Sequence, residues 1–266
     1  MNTFILPLNR FFEQAGRSVI ELSQGLGRFT IFCMSVFYWL PKRPYRFKLL
    51  VEQLYFIGNK SLFIVCLTAS FSGMVMAYQT YLGFQVISAD SFIGSIVAVS
   101  LAKELAPVFT GLIVSGRAGA AMAAQIGTMK VTEQVDALEV MGISSYQYLA
   151  VPRIVAGTLA LPMLSIIFLF VGNLGSWLIG TKVLQIDDAI YFSQLSSFMH
   201  VQDIYQGVIK AFFFGFLISV IGTYHGFAVK QGAEGVGKGT NEAVVWGMAV
   251  VLTVDYFLTS FLIKIL

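Results

Sequence analysis

Histidine and cysteine each occur only twice in 266 residues, and Asp, Glu, Lys and Arg together make up just 12% of the chain. Each scarcity removes a class of function. Cys33 and Cys66 lie in apolar surroundings without a CxxC or Cys/His spacing, so they build neither a disulfide framework nor a zinc site and read as packed thiols. The two histidines, His200 and His225, form no HExxH motif, and neither neighbours a carboxylate at a helical spacing within a predicted span. Ser115 is followed by Gly116 but preceded two residues earlier by Ile113, so the Gly-x-Ser-x-Gly nucleophile elbow is missing as well. Without a nucleophile and base, a membrane enzyme is disfavoured, and no catalytic residue or metal ligand is expected. The glycine-rich run from Gly232 to Thr240 nearly reads as a phosphate loop, but Lys238 is followed by Gly239 and no strand precedes it. It is read as a flexible connector.

A soluble domain carries about 25% charged residues, twice the share found here. Apolar residues instead reach 57%, and mean hydropathy is +0.78. Such a surface belongs in lipid, and the length suits about five spans of ~20 residues each. The net charge of +3 is small, but Arg10, Arg17, Arg28, Lys42, Arg43, Arg46, Lys48 and Lys60 all precede the first strong apolar run. That asymmetry predicts a cytoplasmic N-terminus rather than a nucleic-acid surface. No cleavable signal is expected, because Arg10, Glu13 and Arg17 interrupt the first apolar stretch.

Residues 1–40 mix apolar positions such as Phe4, Ile5, Leu8 and Phe11 with charges at helical spacing, the pattern of a helix lying in the interface. Residues 29–40 are too short to span before Pro41 and Pro44, and read as the end of an elbow. Spans are predicted at about 61–84, 92–125, 152–180, 204–229 and 242–265. The connector 85–91 and the polar segment 181–203 fall outside, the loops 126–151 and 230–241 inside, and the C-terminus outside. Pro107 is expected to bend the second span beside its charges. Two small-residue faces, Gly116–Ala120–Ala124 and Ser115–Gly119–Ala123–Gly127, predict close helix contacts there.

Charges at bilayer depth are the most informative feature. Each costs roughly 2.5–3.5 kcal/mol on insertion scales, so Lys103, Glu104, Arg117, Lys210 and Asp255 must face protein or water. Lys103 and Glu104 point about 100° apart on a helix and cannot share one neighbour. One of them meeting Lys210 or Asp255 from another span is one arrangement; a symmetry mate is another. A structural ion pair and a polar feature on a lipid or ion pathway both remain open. Arg117 reads as structural, snorkelling or capping carbonyls. Residues 128–141 have the wrong composition to span. Val131, Val135, Leu138 and Met141 form an apolar stripe, Glu133, Asp136 and Glu139 lie on the other side, and Gly142 is a helix stop. The segment is either an interfacial connector or a helix that seats in a groove of a soluble partner.

Ser100-Leu-Ala-Lys-Glu-Leu-Ala-Pro107, Ser115-Gly-Arg-Ala-Gly119, Glu133-Gln134, Leu138-Glu-Val-Met-Gly142, Pro152-Arg153 and Leu252-Thr-Val-Asp-Tyr-Phe-Leu-Thr259 closely resemble the signature of the MlaE permease family. The resemblance implies an all-α integral membrane fold: one permease domain over 1–266, with an interfacial elbow (1–60) and a five-span core (61–266) carrying a cytosolic coupling helix between the second and third spans. It implies a homodimeric subunit of an ABC transporter that moves phospholipids between the inner membrane and the outer envelope, contributing to outer-membrane lipid asymmetry. The alternative is a membrane scaffold that only anchors its partners. Those partners would be a cytosolic ATPase that holds the ATP and Mg, a periplasmic MCE-domain protein and, in some systems, a small STAS-type regulatory subunit. Lys130, Glu133, Asp136, Glu139 and Met141 would couple to the ATPase. Met76, Tyr78, Tyr81 and Phe84 would line a lipid chamber with the fifth span. Lys103 stands where relatives often carry Arg, and Glu104, Lys210 and Asp255 match the family pattern. A bacterial inner membrane is the expected location, with the plastid inner envelope as the alternative.

Overall fold

Five stretches of the chain are long and apolar enough to cross a bilayer as helices: Phe47–Phe84, Ile93–Val131, Tyr146–Val183, Val201–Ala228 and Ala233–Leu262, called spans 1 to 5. They come from a computed structural model that describes residues 5–44, 46–85, 90–230, 232–262 and 264. The protein is an all-α integral membrane protein, and a helix lets each spanning segment satisfy its own backbone N–H and C=O groups without water. The structure divides into two units, Met1–Tyr45 and Arg46–Leu266. The first is built on one long helix, Ile5–Trp39. The apolar positions expected between Phe4 and Val19 lie outside the described side chains, and most of the 85–91 connector lies outside the described residues.

Several helices run further than apolar run length predicts. Span 1 is continuous from Phe47, and span 2 continues six residues past Gln125, to Val131. The reading of 230–241 as a flexible connector is corrected, since span 5 is helical from Ala233. Its glycines are weak helix formers, but tertiary contact overrides propensity: a Cβ at Gly239 would lie 2.8 Å from the Val229 side chain. Thr240 Oγ1 also donates to the Val236 carbonyl at 2.7 Å. The polar segment 181–203 holds a further helix, Asp188–Phe198, capped by Asp187, whose carboxylate accepts from the Ala189 and Ile190 amides. Tyr191 pins that helix to the bundle. Its ring fills the space left by Gly94 and Gly180, and its hydroxyl lies 3.0 Å from Ser176 Oγ.

Span 1 packs on span 3, span 3 on span 4, and span 5 on spans 4 and 2. Lipid is as apolar as the helices, so such contacts need close backbone approach rather than a hydrophobic drive. A Cβ at Gly73 of span 1 would come within 1.9 Å of the Gly172 carbonyl oxygen of span 3. At the crossing of spans 3 and 4, a Cβ at Gly215 would meet the Gly157 carbonyl oxygen at 2.4 Å. Of the two small faces predicted on span 2, Ser115–Gly119–Ala123–Gly127 is the buried one, set against Gly247, Gly222, Gly226 and Val229. Gly116, Ala120 and Ala124 stay nearer the surface.

Candidate functional site

Pro107 has no N–H for the Lys103 carbonyl, and just before it the backbone widens into a π-helical turn, Leu101–Leu105. That turn carries Lys103 and Glu104. The wider turn sends the two side chains to different partners on span 4. Lys103 Nζ reaches Asp203 Oδ1 at 2.9 Å, and Glu104 Oε2 reaches Lys210 Nζ at 2.5 Å.

Lys210 is 1% exposed and its ammonium has three protons to place. One goes to Glu104, one to Thr259 Oγ1 at 2.6 Å, and the third side faces Asp255 Oδ1 at 3.0 Å, an ion pair without hydrogen-bond alignment. The single Thr259 proton lies between the Asp255 carbonyl (2.8 Å) and Glu104 Oε1 (3.3 Å). One buried ammonium thus binds two carboxylates and joins spans 2, 4 and 5. The surplus negative charge falls on the side of Glu104, which is 41% exposed, beside Lys103 at 36%. The group can brace three helices and present a carboxylate and an ammonium to a polar ligand.

All four charged span residues expected to matter therefore belong to this network or border it. Two members escaped sequence reasoning. Asp203 was assigned to an outside segment, although it lies seven residues before Lys210 on the same helical face. Thr259 sits four residues after Asp255, the spacing that stacks two side chains.

Arg117 has the capping role. From a second π-helical turn, Ser115–Gly119, its Nη1 donates to the Phe56 carbonyl at 3.0 Å and to Ser61 Oγ at 2.8 Å. It thereby holds the π-helical turn Tyr55–Asn59 of span 1.

At the other end of spans 2 and 3 lies the connector. Span 2 stops where Glu133 takes a left-handed conformation (φ 58°), and a short helix, Gln134–Val140, follows. It ends at Gly142 (φ 74°), the expected stop, with the Gly142 amide donating to the Glu139 carbonyl and the Ile143 amide to that of Leu138. The break at Glu133 divides the apolar stripe: Val135 is buried, Val131 and Leu138 are half-buried, and Met141 points outward. Val140 is 89% exposed beside it, and Glu133 and Asp136 are exposed on the same segment. Glu139 is tied back, accepting from Ser145 Oγ at 2.8 Å. Lys130 donates to the Phe227 carbonyl, fixing the end of span 2 against span 4.

The four residues expected to line a chamber all lie in the C-terminal half of the helix Lys60–Phe84. Met76 and Tyr81 pack half-buried on the core of the bundle, Phe84 is half-buried and Tyr78 is half exposed.

The sequence matches the model of the family described as Permease MlaE over residues 50–261. The chain belongs to the MlaE permease family. It is 40% identical over 250 residues to a probable ABC transporter permease protein of Rickettsia bellii, covering 94% of this chain and 96% of the relative. It is 36% identical over 251 residues to the intermembrane phospholipid transport system permease protein MlaE of Haemophilus influenzae, with 94% and 96% covered. A chloroplastic relative, protein TRIGALACTOSYLDIACYLGLYCEROL 1 of Arabidopsis thaliana, is 37% identical over 211 residues, covering 79% of this chain and 60% of the relative. As an MlaE-family protein, the chain is a membrane-embedded permease of an ABC-type transporter, and an ATPase partner follows from that class.

Proposed function

We propose that this chain is the permease subunit of a transporter that moves phospholipids between the inner membrane and the outer envelope. The observation that carries the reading is the Glu104–Lys210–Asp255 network, which joins three spans at bilayer depth and leaves Glu104 and Lys103 open on one side. An ionic group this expensive is retained at membrane depth for a polar ligand or a moving joint. The likeness to the Haemophilus permease supports a phospholipid as that ligand.

In this reading two copies pair and enclose a chamber. Met76, Tyr78, Tyr81 and Phe84 line it with span 5, whose outward face carries Trp246, Tyr256 and Phe257. The connector helix Gln134–Val140 seats on the ATPase, the apolar tip Val140–Met141 entering a groove and Glu133 and Asp136 meeting basic groups at its rim. ATP and Mg²⁺ bind in that partner, which performs the hydrolysis. Closure of the ATPase pair drives the connector, and the span 2 joint at Lys103–Glu104 carries the motion to the chamber. A periplasmic MCE-domain protein takes or gives the lipid, with the N-terminus cytoplasmic and the C-terminus periplasmic.

The test is photocrosslinking in the assembled complex, with a photoactivatable residue at Met76 or Tyr81 and labelled phospholipid in the membrane. A lipid adduct whose yield changes with ATP is expected. No adduct in any nucleotide state, with the ATPase still bound, would leave the scaffold role in its place.

A further inference from the structure

Among the described side chains the one buried guanidinium is that of Arg153, near the start of span 3 and outside the Glu104–Lys210 network. It is 7% exposed, and among the described residues no carboxylate lies within 4.0 Å of it. Its Nη1 donates to the Leu149 carbonyl at 2.8 Å, its Nη2 reaches Gln125 Oε1 only at 3.4 Å, and its Nε has no partner. A buried cation without a counter-ion is costly. This one borders an open surface groove of about 430 Å³, lined also by Ala124, Gln125, Thr128 and Met129 of span 2, of which Gln125 and Thr128 are exposed.

The level of the groove along the helices selects the anion. At 1.5 Å per residue, a 38-residue span is about 57 Å long and extends roughly 13 Å beyond a ~30 Å hydrocarbon core at each end. Arg153, Gln125 and Thr128 lie about 10, 9 and 5 Å from the connector ends of their helices, within the headgroup layer. At that level the anion always present is a lipid phosphate.

The geometry points to a binding site for the phosphate of a lipid in the leaflet on the connector side. Arg153 supplies the charge. Because Gln125 Oε1 faces Arg153, its Nε2 is left to donate to the phosphate. Ala124 and Met129 give an apolar wall for the glycerol and the first acyl carbons. Thr128 supplies no donor, since its hydroxyl is committed to the Ala124 carbonyl at 2.8 Å. The site is separate from the chamber and from the Glu104–Lys210 network, so it stands or falls independently of the transport reading.

The full transporter is placed in phosphatidylcholine nanodiscs doped with a phosphatidic acid that carries a diazirine near its glycerol, and adducts are mapped by peptide mass spectrometry. Labelling is expected within residues 124–129. It should fall roughly tenfold, equivalent to about 1.4 kcal/mol, in Arg153→Gln. Gln125→Glu guards against misfolding of that variant: its carboxylate gives Arg153 an internal partner, so labelling should fall equally while the melting temperature holds or rises. Unchanged labelling in both variants overturns the site. Equal labelling by a neutral diacylglycerol probe also overturns it, since acyl contact alone would explain the adduct. Displacement by inorganic phosphate alone would assign the anion to solution and overturn the lipid. Capture of an ATPase peptide by a photoreactive residue at Thr128 would overturn it in favour of a protein carboxylate.

Discussion

Lys210 Nζ and Glu104 Oε2 stand 2.5 Å apart across 106 residues of sequence, with Asp255 on the other flank of the same ammonium. Removing the cation alone strands two carboxylates, whereas removing all three charges strands none. Lys210→Met should therefore lose about 3–5 kcal/mol, and the triple variant Lys210→Met, Glu104→Gln, Asp255→Asn should recover most of that. Thermal melts of the purified protein read the stability. Lipid transfer in proteoliposomes should stay lost in the triple variant; recovered transfer would make the network a brace only.

Arg117 ties span 2 to the π-helical turn of span 1. Arg117→Ala leaves the Phe56 carbonyl and Ser61 with fewer partners, and a loss of about 1–3 kcal/mol is expected. Arg117→Lys should recover part of it, because the ammonium keeps the charge and the donors but not the reach and planar geometry that set Nη1 between both acceptors. Melting temperatures of the three proteins test the order.

The Gly73–Gly172 contact leaves no room for a side chain. Gly73→Ala should separate spans 1 and 3 and cost about 1–3 kcal/mol, through overpacking against backbone that cannot give way. Gly83→Ala, where nothing lies within 4 Å, is the matched control and should be neutral or mildly stabilising. Equal melting temperatures for the two variants would contradict the close crossing.

The number of spans was legible in the sequence because run length alone decides whether a helix can cross a bilayer. Their ends were not. Apolar content stops at the membrane face, while the helices project into water on caps and packing, as at Ala233 and Val131. This error concealed a partner of Lys103: starting span 4 at 204 instead of Val201 placed Asp203 in a loop. The mutual pairing of Glu104, Lys210 and Asp255 followed from the cost of a lone charge in lipid, and was among the arrangements the sequence left open. Arg153 gave no such signal, since nothing adjacent in sequence marks a cation whose counter-ion is missing.

The exposed tip of the connector should be dispensable for folding and required for assembly. Val140→Ser with Met141→Asp replaces apolar surface that is mostly exposed, so stability should shift by less than about 0.5 kcal/mol. Co-purification with the ATPase should be lost, because an apolar anchor contributes most where a groove fully covers it. Retained co-purification would move the docking surface elsewhere.

Asp188 offers a pH test at the far end of the bundle. Hydrogen bonds from the Trp177 indole (2.9 Å) and from Lys182 (3.3 Å) hold its carboxyl below the usual aspartate value. A depressed folded-state pKa means that the stabilisation is present above the unfolded value, about 3.9, and is lost as pH falls through the folded one. The Trp177 contact should therefore survive mild acid and break only below the ordinary aspartate range. Because Asp188 is exposed, the global stability effect should be small and the local one visible. Indole fluorescence during acid titration, with Trp177→Phe as the blank, should show a transition below that range. Asp188→Asn should abolish it, and a midpoint at the ordinary aspartate value would mean that the indole bond does not form in the membrane.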